Sequence, residues 1–445
     1  MTENIMLLDC TLRDGAYITE SHFGTPAIKG IIKKLQEARV DIIEVGWLKD
    51  KQHEEGTTFF HLPTDVVPYL VEPSERTTYV AMIDWDRYDT EQLPPCDGAS
   101  IDAIRVVFPH GKHKEGLAVA EKIRAKGYRV FLQAANTMAY SDADLEDLVE
   151  AVNAFSPVAL SVVDTFGAMY EEDLERIVRV IDAKLDKAIG LGFHSHNNQQ
   201  LSFALTIHFV NLLESSGRTV MVDASLCGMG RGAGNATTEL VTSYLNRKKH
   251  GNYDLDAIMD AIDTYMEPFR QTYTWGYSTP YFIAGLYQCH VNNIAYLQRN
   301  HRANARDMRN IIASLSQGER RKYDYDLLER RFLENQSRHV DDEAAIRALR
   351  KAFGERTILL IAPGRSVVDE MQQVQAFIDQ EHPVVMGVNA ICNGYDYDYL
   401  FFVNSARYDY AQNAHGTSFA AAKKIVLSSI QPGDGNDAFV LNFNR

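Results

Sequence analysis

No stretch of this chain reads as a membrane span. The longest apolar runs are strand-sized, far short of the roughly 20 residues that a spanning helix needs. A basic excess is missing as well: 45 Lys and Arg stand against 60 Asp and Glu, for a formal net charge of −15. That balance argues against a nucleic-acid phosphate backbone as the main partner, while leaving room for a local basic site for an anionic substrate. Cysteine is sparse, with five residues (Cys10, Cys96, Cys227, Cys289, Cys392) and no Cys-x-x-Cys pair. Such an odd, scattered set suits a reducing cytosol better than a disulfide framework. The opening Met-Thr-Glu-Asn has neither a basic nor an apolar region, so a secretory signal is not expected and a cytoplasmic location is. No Gly-x-Gly-x-x-Gly follows the first apolar run, which argues against a dinucleotide-binding sheet.

The 445 residues are 45% hydrophobic and 24% charged, the composition of a globular protein with room for more than one domain. Apolar β-type runs alternate with amphipathic helical runs over residues 5–245. Strands are expected at 5–12, 41–47, 78–83, 103–108, 129–134, 157–163, 188–194 and 219–224, and helices at 28–38, 116–126, 142–154, 171–185 and 201–215. Most of the strands are near-continuous in Val, Ile, Leu and Ala, the pattern of parallel strands buried on both faces. Eight βα units predict an α/β fold, a TIM (β/α)8 barrel, with an open doubly wound sheet as the alternative. The barrel is expected over residues 1–250, a helical extension over 251–315 and a solvated charged helical connector over 316–356. Residues 357–445 return to α/β rhythm as a small C-terminal domain. Its Ala362-Pro363-Gly364-Arg365-Ser366 turn, before a helix expected over 367–380, is read as either an anion site or an ordinary strand–helix turn.

The chemistry gathers at predicted strand ends. His194 and His196, two apart on a strand, face the same way and point two imidazoles at the barrel mouth. With a carboxylate they would form a two-histidine, one-carboxylate metal site. Asp14, behind the first strand, is the natural third ligand, although such a residue is also a common turn former. Arg13 could hold a substrate carboxylate or an oxyanion, or simply pair with Glu44, and Glu44 could equally orient it. After the eighth strand, Gly228, Gly230, Gly232 and Gly234 allow close backbone approach and lead to a helix expected from Ala236. Asn235 there could cap that helix or contact a metal or substrate.

Four ordered motifs carry a family resemblance: Thr11-Leu12-Arg13-Asp14-Gly15, Asp164-Thr165-Phe166-Gly167, His194-x-His196 and the glycine run ending in Asn235. Together they resemble the DRE-TIM metallolyase superfamily, the group of hydroxymethylglutaryl-CoA lyase, isopropylmalate and homocitrate synthases and 4-hydroxy-2-oxovalerate aldolase. The likeness spans about residues 1–300. It implies a divalent metal, Mn²⁺ foremost with Mg²⁺, Co²⁺ or Zn²⁺ as alternatives, held by Asp14, His194 and His196 with Asn235 nearby. It further implies a 2-oxo acid substrate reacting through a metal-stabilised enolate, with Arg13 assisting and Glu44 completing the arginine–aspartate–glutamate set.

Within the group the aldolases are nearest, and they imply retro-aldol cleavage of a 4-hydroxy-2-oxo acid. The segment from Gly276 to Tyr281 resembles their post-barrel region, making Tyr277 and Tyr281 candidates for a tyrosine that reaches the active site. One departure stands out: Tyr17 occupies the position of the aldolases' catalytic-base histidine. With an ordinary pKa near 10 it is a poor base, which leaves Tyr17, His22 or a metal-bound water for that role. The C-terminal α/β domain lies outside the resemblance. A Claisen-type acyl-CoA:2-oxo acid acyltransferase and a non-catalytic metabolite-binding scaffold are the alternative functions. Self-association or a partner enzyme is expected, without nucleic acid or membrane.

Overall fold

The computed structural model describes residues 5–70, 76–301, 303–336, 340–432 and 438–443. Residues 1–4, read above for a signal, lie outside this set. The chain divides into two units, one of residues 1–294 with 320–322, the other of 295–319 with 323–445.

The first unit is a closed barrel of eight parallel strands. These are β1 (Ile5–Asp9), β2 (Ile42–Leu48), β3 (Thr78–Asp84), β4 (Ala103–Pro109), β5 (Arg129–Ala135), β6 (Ala159–Asp164), β7 (Gly190–Ser195) and β8 (Val220–Ala224). Each pairs with the next, and β1 closes the ring by pairing with both β2 and β8. The TIM barrel expected from the βα rhythm is thus present. The rhythm is uneven, however. A 3-10 segment (Pro63–Tyr69) stands between β2 and β3, and irregular chain between β3 and β4.

Strand period 2 stacks the barrel interior in layers. An apolar plug contains Leu8, Ile42, Val80, Ala103, Phe131, Ala159 and Met221. Two residues further along the strands the interior turns polar, with Glu44, Arg105, Gln133, Ser161 and Asp223, all buried. On β7 the same two-residue step runs Gly190, Gly192, His194. A side chain on Gly192 would put its Cβ 2.4 Å from Ser161 Oγ, so glycine there leaves room for the polar layer.

β1 is shorter than the expected strand. The Asp9 carboxylate accepts the Thr11 N–H at 2.9 Å and the Thr238 hydroxyl at 2.6 Å. This local aspartate turn competes with strand pairing and starts a helical turn, α1 (Thr11–Asp14). Arg13 and Asp14 therefore sit on a buried helical turn above the strand rather than on the strand itself.

The second unit holds five parallel strands in sequential order: β9 (Ile358–Ile361), β10 (Val384–Val388), β11 (Tyr399–Phe402), β12 (Lys423–Leu427) and β13 (Ala438–Leu441). One face packs Ile361, Val385, Leu400, Phe402 and Val426 with Tyr408 and Phe419; the other packs Val384, Met386, Tyr399 and Ile425 with Leu349 from the helix Glu343–Phe353. The helix expected over 367–380 is broken into Ser366–Asp369 and Met371–Glu381. Arg365 in the preceding turn is exposed and pairs with Asp369 at 3.2 Å. No helix of the described residues is long and apolar enough to cross a membrane.

One irregularity in β2 bears on the site. The register with β3 slips between Glu44 and Gly46, a bulge around Val45. Gly46 has φ +152°, and a Cβ there would lie 2.0 Å from the Thr58 carbonyl oxygen. Backbone cannot yield as a flexible side chain can, so Gly46→Ala should cost about 3 kcal/mol in urea denaturation. A loss under about 0.5 kcal/mol would show that the bulge tolerates a side chain.

Candidate metal centre

α1, the end of β7 and the glycine loop after β8 converge over the polar layer. Asp14, His194 and His196, all buried, offer ligand atoms that lie within 4.8 Å of one another. The period-2 argument for the two histidines places them as expected, and the helical turn swings Asp14 against them.

Each group is held by a charged neighbour. Arg13 bonds Asp14 through Nη1 and Glu44 through Nε, the latter at 2.7 Å. Glu44 also faces Arg105 Nη1 at 3.0 Å, as an ion pair without hydrogen-bond alignment. Arg105 then bonds Asp223, and Asp223 faces His194 Nδ1 at 3.0 Å. Arg105 donates to Gln133 Oε1 at 3.0 Å, and Gln133 to Ser161 Oγ at 3.0 Å. A continuous buried chain thus runs Asp14, Arg13, Glu44, Arg105, Asp223, His194. It contains three carboxylates and two guanidinia.

These contacts set the protonation states. Burial would push the Asp14 carboxyl up, but Arg13, then His196 and His194, and the Asn235 amide together hold it well below the usual carboxylate range. Burial first, then His194, Arg231 and Arg13, push His196 down to about 3 against the pull of Asp14. An ionised carboxylate beside a neutral imidazole is the state in which both can ligate a metal. Asp223 is also held below its ordinary value, its Arg105 and His194 partners outweighing burial. An ionised Asp223 can only accept, so His194 Nδ1 carries the proton and Nε2 is left as a ligand.

Two orphaned atoms fit a metal. His196 Nδ1 and Asn235 Oδ1 are buried without a hydrogen-bond partner among the described residues. Such groups are costly unless something satisfies them. Donor type and these open valences suit a divalent ion held by oxygen and imidazole nitrogen.

The glycine loop is built around Asp14. Arg231 N–H donates to Asp14 Oδ2 at 3.1 Å and Asn235 Nδ2 to the same oxygen at 2.8 Å. A Cβ on Gly230 would lie 2.3 Å from that oxygen. Three further loop amides bond inside the protein: Ala233 N–H to Asn198, Gly234 N–H to Arg231 and Asn235 N–H to Gly228. The following helix starts at Thr238 with Thr237 at its cap position, so Asn235 does not cap it. Asn235 instead forms a bridge with His196. Asp164, in the second motif, organises the turn after β6 by accepting Ala168 and Met169 N–H at 3.0 and 3.1 Å, and burial pushes it up to about 6.

The remaining predicted residues spread out. Tyr17 lies at the mouth, 46% exposed, edge-on to Trp47 and beneath the Arg231 guanidinium at 4.8 Å. Desolvation raises its phenol above the ordinary value, against the pull of Arg231. His22 is exposed, with Nδ1 on the Glu20 carbonyl at 2.8 Å and Nε2 3.9 Å from Glu54, outside the cluster. Tyr277 is 61% exposed, ahead of the helix Thr279–Leu286, and Tyr281 is half-buried in that helix's first turn. Arg105, Gln133 and Asp223 were not singled out in the sequence. Their signal was a polar residue inside an otherwise apolar strand.

With this geometry in place, three comparisons bear on the barrel. Residues 111–264 match the family described as HMGL-like. A 4-hydroxy-2-oxovalerate aldolase of Geobacillus genomosp. 3 is 26% identical over 277 residues, 60% of this chain and 78% of that protein. An oxaloacetate decarboxylase of Mycobacterium tuberculosis is 25% identical over 265 residues, 58% of this chain and 74% of that protein. Among solved structures, the N-terminal domain of a candidate aldolase from Bacteroides vulgatus shares the fold. It has a TM-score of 0.57 at 24% identity and covers 66% of this chain and 97% of that one.

Arg105 has no exposure at all, so its two carboxylates depend on it. Arg105→Met should destabilise the first unit by about 3–5 kcal/mol in urea denaturation, by taking from the buried Glu44 and Asp223 the guanidinium they share and leaving them only Arg13 and His194. A change below about 1 kcal/mol would show that the pairing is dispensable.

Proposed function

We propose that this chain, whose barrel carries an HMGL-like domain of the DRE-TIM metallolyases, is a divalent-metal-dependent carbon–carbon lyase of the aldolase type acting on a 2-oxo acid. The observation that carries this reading is the buried Asp14, His194, His196 cluster, with Asp14 kept ionised by Arg13 and His194 turned by Asp223. Asp14, His194 and His196 would hold the ion, with Asn235 Oδ1 beside it. A bound divalent ion supplies Lewis-acid polarisation of a carbonyl oxygen.

The protein's own part is positioning. Arg13 places positive charge next to the cluster, where negative charge grows on the oxo acid as the carbon–carbon bond breaks. Glu44 keeps that guanidinium from swinging away. Tyr17, with its phenol raised, stays protonated at neutral pH and serves as a hydrogen-bond donor at the mouth rather than as a base.

That last point favours one second reading. Removing carbon dioxide from a 2-oxo diacid takes no proton from a hydroxyl, so it does without the base that Tyr17 replaces. Oxaloacetate consumption with CO2 release but no aldehyde-forming activity would favour decarboxylation.

Pyruvate methyl-proton exchange, followed by NMR in D2O, tests the last step that both readings share, the interconversion of pyruvate and its enolate. Exchange should require added Mn²⁺, stop with EDTA and fall to background in His194→Ala. Asp223→Asn should weaken Mn²⁺ binding by about 10–100-fold in calorimetry while the three ligands remain. Exchange that survives EDTA, or a His194→Ala protein behaving as wild type, would sink the proposal.

A further inference from the structure

Beside the metal cluster lies a cavity of about 400 Å³, lined in part by Tyr17, Ser21, Trp47, Lys49, Asp84 and Arg87. It opens where β1, β2 and β3 end, next to the exposed side of Tyr17. A volume of this order holds a small metabolite.

Its charge runs against the molecule. The whole chain carries −15, yet Lys49, Lys51 and Arg87 line the cavity against Asp50 and Asp84, and Arg231 stands over Tyr17. Most of these charges are committed. Lys51 pairs with Glu54 at 2.7 Å, and Arg87 faces Asp84 and Asp86 at 3.8 and 3.9 Å. Both oxygens of Asp50 accept the Asp89 N–H at 3.0 Å.

Two cations are not committed. Among the described residues neither Lys49 nor Arg231 forms an ion pair with a carboxylate. The Lys49 ammonium lies 5.9 Å from the centres of both the Trp47 and Phe59 rings. The Arg231 guanidinium stacks on Tyr17 and meets His290 Nε2 at 2.7 Å. That imidazole is neutral, pushed down to about 3 by burial and by Arg231 and Arg87, so it neither pairs with the guanidinium nor adds a charge beside it. The Asp84 carboxylate feels the charges of Arg87, Lys49 and Arg231. The Arg231 backbone N–H is tied to Asp14, which anchors the residue that carries this guanidinium beside the metal-ligand cluster.

We infer that the substrate carries a second anionic group at the end away from its 2-oxo acid, a carboxylate or phosphate-type group seated in this cavity between Lys49 and Arg231. This rests on the 2-oxo acid reading above and narrows it. Two cations that hold a carboxylate also stabilise it, so the group held here stays with its fragment and is not the one lost as carbon dioxide. Trp47 and Tyr17 supply the apolar walls for the carbons in between.

Calorimetric titration of the Mn²⁺-loaded full-length protein tests the inference with 2-oxoglutarate and 2-oxopentanoate. These probes share a five-carbon chain and differ only in the terminal carboxylate. The readout is the ratio of their dissociation constants, in which effects on the shared end cancel. The diacid should bind at least about 10-fold tighter, equivalent to about 1.4 kcal/mol. The ratio should fall towards one in Lys49→Met and in Arg231→Gln. A third probe, 2-oxo-4-phosphonobutanoate, separates the two anion classes by whichever gives the larger ratio. Pyruvate methyl-proton exchange measured on the same protein preparations reports the oxo-acid end independently. Exchange with ratios near one for both anionic probes overturns the inference and leaves the lyase reading standing. A high ratio that persists in both variants overturns it too, since the anion is then held elsewhere. Absence of exchange overturns the lyase reading, and the inference with it.

Discussion

A guanidinium with no access to water must find its carboxylates, and the barrel is arranged around that requirement at Arg105. It lies inside the ring of strands between Glu44 and Asp223. Each of those carboxylates then has one further partner: Glu44 holds Arg13, and Asp223 holds His194. Removing water from any one of these charges costs several kcal/mol unless its partner is in place. The network is therefore formed as a whole or broken as a whole, and the positions of Asp14 and His194 follow from it. Counting the histidines as neutral, three carboxylates and two guanidinia leave one uncompensated negative charge, a balance that a divalent cation suits.

Backbone geometry makes that network possible. The two-residue step along each strand puts the polar set in one layer above the apolar plug. The bulge at Val45 and Gly46 interrupts the β2 register beside Glu44. Gly192 leaves space beside Ser161, and Gly230 lets the last loop close over Asp14. The glycine run thus brings backbone close to a side chain of the same protein, with the Arg231 amide on Asp14 and the Ala233 amide on Asn198. A site assembled from three chain segments is rigid in the direction that matters for ligation, because no ligand depends on a lone loop for its position.

The mouth has a different character from the floor. Below, Arg13, Glu44, Arg105 and Asp223 are paired with one another; above, among the described residues, Lys49 and Arg231 have no carboxylate of their own. The floor is thus a fixed, mutually paired polar base, and the mouth carries cationic charge that is not paired in this way. Tyr17 stands at the boundary, edge-on to Trp47 and under the Arg231 guanidinium.

Much of this was legible in the amino-acid sequence. Near-continuous Val, Ile and Leu runs marked buried parallel strands, and eight of them implied a ring. The spacing of His194 and His196 forced both imidazoles to one side, and four ordered motifs named a metal-dependent family. The strand read through to residue 12 stopped at Asp9, because a carboxylate that can accept its own neighbour's N–H competes with strand pairing. Asn235 was open to a capping role until the helix proved to start at Thr238. Arg105 and Asp223, 118 residues apart, could not be paired from the sequence, since only closure of the barrel brings β4 and β8 to face each other across its interior. Pattern along one strand is a local property that the sequence determines. Which charges meet across the ring, and which at its mouth are left without a partner, is decided only when eight strands close.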